Sequence, residues 1–313
     1  MIRTILIFVI LVLSSENGDG HEHGHRRHPA PRKHQVTEAK PLVLIPADHA
    51  LPNQPKVQFT RKGNSLKVEA NGIPKHPVGF FPNRSNPNRI AEQTLSFTLT
   101  QRQEPAPKPI PLHNSSSFGP PNQPFGIANN GVLFDPGTAE FYLGDRRADW
   151  NYEAIGGAVP LGLDENHGHV QPNGSYHYHG LPIGLLDQLG VQEGAHSPLI
   201  GWAMDGHPIF ALYGYKDAKE PKSDVKKLRS SYRLISGKRK GSPENPGGAH
   251  DGAFARDYEY VAGWGDLDQC NGRYTVTKDF PDGTYAYFLT EDWPVIPRYF
   301  KSEPVKLRGS LRR

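Results

Sequence analysis

One cysteine in 313 residues excludes an intrachain disulfide. Long helices are excluded almost as firmly. The chain carries 33 Gly and 30 Pro, both poor in helix interiors, so a helix bundle or coiled coil does not fit. No charge of one sign dominates: 36 Lys and Arg stand against 32 Asp and Glu, a net charge of +4. With no basic recognition helix in view, a nucleic-acid partner is not expected. After the first 15 residues no apolar run approaches the roughly 20 residues of a membrane span. What the chain does have is aromatic surface: 13 Tyr, 14 Phe and 4 Trp, enough to build a core. Short strands broken by many turns are therefore the default, giving a mostly β domain, sandwich- or barrel-like, with little helix.

The N-terminus reads MIRTILIFVILVLSS. One Arg precedes an apolar run and small residues follow, the pattern of a secretory signal over 1–15. Secretion to the cell exterior or envelope is the expected destination. Residues 16–56 read as a disordered His/Pro-rich tail, with five His in HEHGHRRHPAPRKH (21–34). Such a tract is either a solvated linker or a metal scavenger. Cys270 reads as buried and free rather than paired with another chain.

Residues 57–112 read as an N-terminal β extension. Two strand-like runs flank Lys62-Gly63-Asn64, and Leu95, Phe97 and Leu99 alternate with Ser and Thr. From Phe118 the texture changes to aromatic runs separated by Gly, Asn, Asp and Pro, setting the main domain at 118–300 and a basic C-terminal tail at 301–313. TYAYFL (284–289) is expected to pair with 272–277. A short helix is expected near Asp224–Ser231. Lys216–Lys240 holds ten Lys and Arg against three acids, either a solvated face or a contact for an anionic polymer or matrix. Asn83, Asn114 and Asn173 begin glycosylation sequons.

The chemistry concentrates in DENHGHVQPNGSYHYHGLPIG, residues 164–184. His177 and His179 are two apart, so on a strand they share one face and Tyr176 and Tyr178 share the other. His167 and His169 repeat the spacing upstream, and Asn173-Gly174 between the pairs signals a hairpin. The hairpin would bring imidazoles together on one face. Imidazole donors without a thiolate cluster suit copper first and zinc second. His169, His177 and His179 form the core trio, with His167 and His207 as further ligands. Asp164 and Asp205 are candidates to orient an imidazole from behind, with Tyr176 and Tyr178 adjacent. The alternative is that these histidines are structural. Catalytic residues are not legible, and a blue-copper centre is disfavoured because Cys270 has no neighbouring His or Met.

YHYHG at 176–180 resembles the signature of the YHYH-domain family. The likeness extends to GIANNGVLFDPGTAEFY (126–142), SPLIGWAMDGHPIFALYGY (197–215), SSYRLISG (230–237), DGAFARDYEYVAGWGDLDQCNGRYTVT (251–277) and FPDGTYAYFLTEDWP (280–294). It implies a secreted or envelope protein and little about activity. Family members often carry Cys-Gly-Gly-His upstream. Here Asn166 and His167 replace the Cys and first Gly, which argues against a thiol role and makes His167 an extra imidazole. Two functions from different classes follow. One is a secreted metal-binding protein, a copper-dependent oxidoreductase or copper carrier. The other is a non-catalytic surface module for glycan, matrix or protein.

Overall fold

The computed structural model describes residues 34–112 and 123–307. The expected signal segment and the His-rich tract up to residue 33 lie outside the described residues, as does Asn114. The strands are β1 (Val57–Lys62), β2 (Ser65–Ala70), β3 (Leu95–Thr100), β4 (Ile110–Pro111), β5 (Gly126–Ala128), β6 (Leu133–Phe134), β7 (Gly168–Val170) and β8 (Tyr176–Tyr178). After helix α1 (Ile183–Leu189) come β9 (Gly201–Ala203), β10 (Pro208–Ala211), β11 (Tyr213–Tyr215), β12 (Val225–Lys227), β13 (Tyr232–Leu234), β14 (Tyr258–Tyr260), β15 (Gly272–Thr275), β16 (Thr284–Leu289) and β17 (Tyr299–Phe300). The fold is mostly β, as the composition implies.

An eight-stranded mixed sheet in the order β15-β16-β10-β9-β5-β6-β8-β7 forms the centre. It is open and does not close into a barrel. Its central strands β5, β9 and β10 are buried at every position, the pattern of a sheet covered on both faces. Strand alternation sorts their side chains. Ile209, Ala211, Tyr285, Tyr287 and Leu289 enter the main core. Phe210, Ala286 and Phe288 enter a second cluster with Leu228 and Leu267 on the other face. β15 and β16 pair antiparallel, as their sequences suggest.

β1, β2 and β3 form a three-stranded antiparallel sheet. Lys62 pairs with Ser65 across Gly63-Asn64, where Gly63 has a φ of 58°. Leu66, Val68 and Leu99 from this sheet are buried in the same core as Ile127, Trp202 and Tyr287. The 57–112 segment therefore contributes to a common core, and β4 pairs with β17 far along the chain.

Three sequence expectations are corrected. Residues 34–56, expected within the disordered tail, run extended along the domain. Lys40 N–H donates to Gly156 O at 3.0 Å, Ile45 N–H to Leu163 O at 2.9 Å, and His49 and Val78 exchange backbone bonds. Val36 and Ala39 add apolar contact to Tyr152 and Phe254. Few apolar residues suffice here because the segment's backbone polar groups find partners on the domain. The basic tail expected from 301 also begins too early. Ser302 is fully buried and Val305 N–H donates to Met204 O at 2.9 Å.

The helix expected near 224–231 is instead strand β12 and the irregular segment after it, because Val225–Lys227 pairs with Tyr213–Tyr215. Among the described residues the α-helix lies at 183–189, between Pro182 and a left-handed Gly190, and buries Leu185 and Leu186. Pro before and Gly after an apolar run are the usual boundary marks of a helix.

A shared core makes one cooperative unit. Leu99→Ala should cost about 2–5 kcal/mol and shift a single urea transition, with fluorescence and far-ultraviolet circular dichroism coincident. Two separated transitions would show that the β1–β3 sheet folds independently.

Candidate functional site

Strands β7 and β8 are antiparallel, with His169 directly opposite His177. The turn between them closes through Gly174 N–H to Gln171 O at 2.8 Å, and Gly174 supplies a φ of 86°. This places the three imidazoles of His169, His177 and His179 in one cluster. Ring centroids are 5.3 Å apart for His169–His177, 5.4 Å for His169–His179 and 4.7 Å for His177–His179. The Nε2 atoms of His177 and His179 face each other at 3.0 Å. His169 Nδ1 lies 3.0 Å from Leu161 O, and His177 Nδ1 lies 3.1 Å from Ser175 O. A carbonyl can only accept, so these two Nδ1 atoms carry the ring protons and the corresponding Nε2 atoms carry lone pairs.

The opposite face of β8 holds the tyrosines, both buried. Tyr176 OH donates to Asp164 Oδ2 at 2.8 Å. Tyr178 OH lies 2.6 Å from His76 Nε2 and accepts from Asn130 Nδ2 at 2.8 Å. Asp164 is fully buried and also accepts from Gly79 N–H at 2.9 Å, Asn166 N–H at 3.0 Å and Gly168 N–H at 2.8 Å. It therefore orients Tyr176 and the hairpin backbone rather than an imidazole. Gly168 is required because a Cβ there would run into the Tyr176 ring.

The other candidates lie elsewhere. His167 has a φ of 53°, which turns its ring away from the strand face, and its Nδ1 meets Leu181 O at 2.8 Å. His207 is buried with its Nε2 3.0 Å from Ser302 Oγ and its ring against Tyr285. Asp205 binds Tyr287 OH at 2.5 Å and the backbone N–H groups of Lys301 and Ser302, each at 3.1 Å. It fastens the end of the chain. A further histidine outside the cluster, His196, packs against Tyr215 and Phe210. Cys270 is free and buried, and burial raises its thiol to about 12, so it is not a ready nucleophile.

Of the ten basic residues in 216–240, Lys226, Lys227, Arg229, Arg233 and Arg239 pair with carboxylates from 251–292. Asn83 spends its amide on Gly162 O and its carbonyl on Ser85 and Asn86 N–H. Asn173 sits exposed at the hairpin tip.

Sequence reasoning missed four residues around the site. Asp135 is buried, its charge reaches His169, and it accepts from Gln171 Nε2 at 3.0 Å. In the sequence it belonged only to an Asp-Pro-Gly turn signal. His76 supports Tyr178 from outside the matching blocks. The buried Glu153 holds Arg298 at 2.7 Å, and that guanidinium contributes to the field at His179. No local signal joins residues so far apart.

Burial first, then the neighbouring His177, pushes His169 down from 6.5 to about 3. Burial first, then His177 and His169, holds His179 well below the ordinary imidazole value. The unfolded chain therefore binds more protons here than the folded one once the pH falls below 6.5. Stability from these groups is complete above that pH and is lost progressively towards about pH 3. Without added metal, the thermal midpoint should fall as the pH is lowered from about 7 to about 4. His169→Asn, whose amide can still donate to Leu161 O, should flatten that fall. A midpoint with the same pH dependence in both proteins would contradict it.

A family model described as YHYH protein matches residues 108–302. No curated protein and no solved structure matches the chain. The matched span runs from β4 through β17 and includes the β7–β8 hairpin with all three clustered imidazoles. On that match, together with the Tyr176–His179 tetrapeptide at the centre of the site, the chain belongs to the YHYH protein family.

Proposed function

We propose that this protein binds a single transition-metal ion through His177 and His179, with His169 as third ligand. Copper is the first choice and zinc the second. The observation that carries the reading is the pair of facing Nε2 atoms at 3.0 Å, with the Nδ1 of His177 held by a backbone carbonyl. His177 then turns a lone pair toward His179. Either His179 donates a proton into it, or two lone pairs face each other and need a cation between them. The first arrangement leaves the Nδ1 lone pair of His179 buried without a hydrogen-bond partner.

Two imidazole nitrogens on one ion at about 2.0–2.1 Å lie roughly 2.9–3.4 Å apart, and the spacing here falls in that range. Metal-bound histidines usually donate their other ring N–H to a carbonyl or carboxylate, as His169 and His177 do. The bound ion would supply Lewis acidity or, for copper, one-electron chemistry. This chain's residues orient the imidazoles, keep them neutral and exclude bulk water.

We place the protein outside the cell or in the envelope, on the strength of its signal-like N-terminus. A second reading, an interaction module with structural histidines, is favoured by one fact. Among the described residues, no group of three or more His, Cys, Asp or Glu stands ready around one point.

Metal content of full-length protein purified without an added tag separates the two. One tightly held equivalent of copper or zinc is expected, and His177→Ala or His179→Ala should lose it. Tyr178→Phe should keep the metal yet lose about 1–3 kcal/mol of stability, since His76 and Asn130 lose their buried partner. His207→Phe should also keep it, because that ring sits with Ser302. Equal metal in wild type and His177→Ala would establish the structural reading.

A further inference from the structure

Strand β6 runs parallel to β8, with Leu133 beside His177 and Phe134 beside Tyr178. The Phe134 and Tyr178 rings meet with centroids 5.7 Å apart, so Phe134 belongs to the tyrosine face. Asp135 comes next, and its N–H donates to Tyr178 O at 2.9 Å, which carries the pairing one position past the strand. Alternation then turns the Asp135 side chain to the histidine face, beside His179. Gln171 reaches the same face from β7. Its N–H donates to Ser175 O at 3.0 Å, which extends the β7–β8 ladder by one pair, and it stands two positions after His169. Its Nε2 donates to Asp135 Oδ2 at 3.0 Å. Asp135 is 1% exposed, and its charge acts on His169.

An ion held by imidazoles alone keeps its whole charge, and an uncompensated charge in a buried site is costly. Two other buried carboxylates of this region are committed elsewhere. Asp164 serves the tyrosine face, where Tyr176 OH and three backbone N–H groups fill it. Glu153 is held by Arg298 at 2.7 and 2.8 Å and by Trp293 Nε1 at 2.8 Å. Asp135 shares the face of the trio and accepts from a neutral amide. Its attraction for a bound ion scales with the charge of that ion, so it counts twice as much for a dication as for a monocation. Imidazole itself discriminates little, since it suits copper and zinc alike.

We infer that Asp135 is the specificity-determining residue of this site: its carboxylate favours a divalent ion, Zn(II) or Cu(II), over Cu(I). This rests on the metal reading of the trio. Asp135 acts through its charge from behind the imidazoles, and Gln171 fixes the carboxylate in place. Carboxylates in such supporting positions tune metal sites without joining the ligand set.

The test is chelator-competition titration of full-length wild type, Asp135→Asn and Gln171→Lys with Zn(II), and anaerobically with Cu(I) kept reduced by ascorbate. Asparagine keeps an acceptor for Gln171 and removes only the charge. Gln171→Lys lies at a half-buried position and sets an ammonium against the intact carboxylate, so it decides the matter should Asp135→Asn fold poorly. Each variant should weaken Zn(II) by about tenfold and Cu(I) by about threefold, because the lost energy is proportional to the charge of the ion. Loss of both ions by equal factors would mean that Asp135 merely supports the fold, and would overturn the inference. So would unchanged affinities in both variants. A wild type that binds neither ion would overturn the metal reading itself, an outcome distinct from either of these.

Discussion

The Asp164 carboxylate is the junction through which this site is built. One oxygen receives the backbone N–H groups of Asn166 and Gly168, closing the turn before β7. The other receives Gly79 N–H from the N-terminal half and the hydroxyl of Tyr176 from β8. A fully buried carboxylate is costly unless its lone pairs are filled, and four donors from three segments fill them. The same four bonds set the register of β7 against β8, and that register puts His169 opposite His177.

Division of β8 into two faces gives the site its character. The tyrosine face is closed by hydrogen bonds to Asp164, His76 and Asn130, so its polar atoms are satisfied within the core. On the histidine face the Nδ1 atoms of His169 and His177 meet carbonyls, and the Nε2 atoms of His177 and His179 face each other. Burial keeps His169 and His179 neutral, the form in which an imidazole can donate a lone pair. Both faces follow from a single strand of period two, with the left-handed His167 ending the alternation upstream.

Ion pairs serve mainly to close the periphery. Arg239 is buried against Asp257 and Asp251 and also donates to Thr37 O, which ties the N-terminal strap to the domain. Removing one partner of such a pair would leave an uncompensated buried charge. The more exposed pairs of Lys227, Arg229 and Arg233 contribute little stability individually. They do consume charges that a basic run would otherwise present to a polyanion.

Local patterning was enough to establish the β class, the β1–β2 and β15–β16 hairpins and the shared face of His177 and His179, because alternation and turn residues act over a few positions. The likeness of the 126–294 blocks was legible for the same reason. Tertiary structure decided what local patterning could not. Val225–Lys227 became a strand because Tyr213–Tyr215 lay ready to pair with it. Residues 34–56 were ordered by partners elsewhere in the chain, several more than 100 positions away, as in the 2.8 Å contact of His34 with Glu140. His207 and Asp205 were drawn to the chain's end rather than to the trio. Asp135 and Arg298 entered the neighbourhood of the histidines only through packing. Spacing along a strand determines which way a side chain points. Which distant groups it meets depends on how the sheets fold over one another.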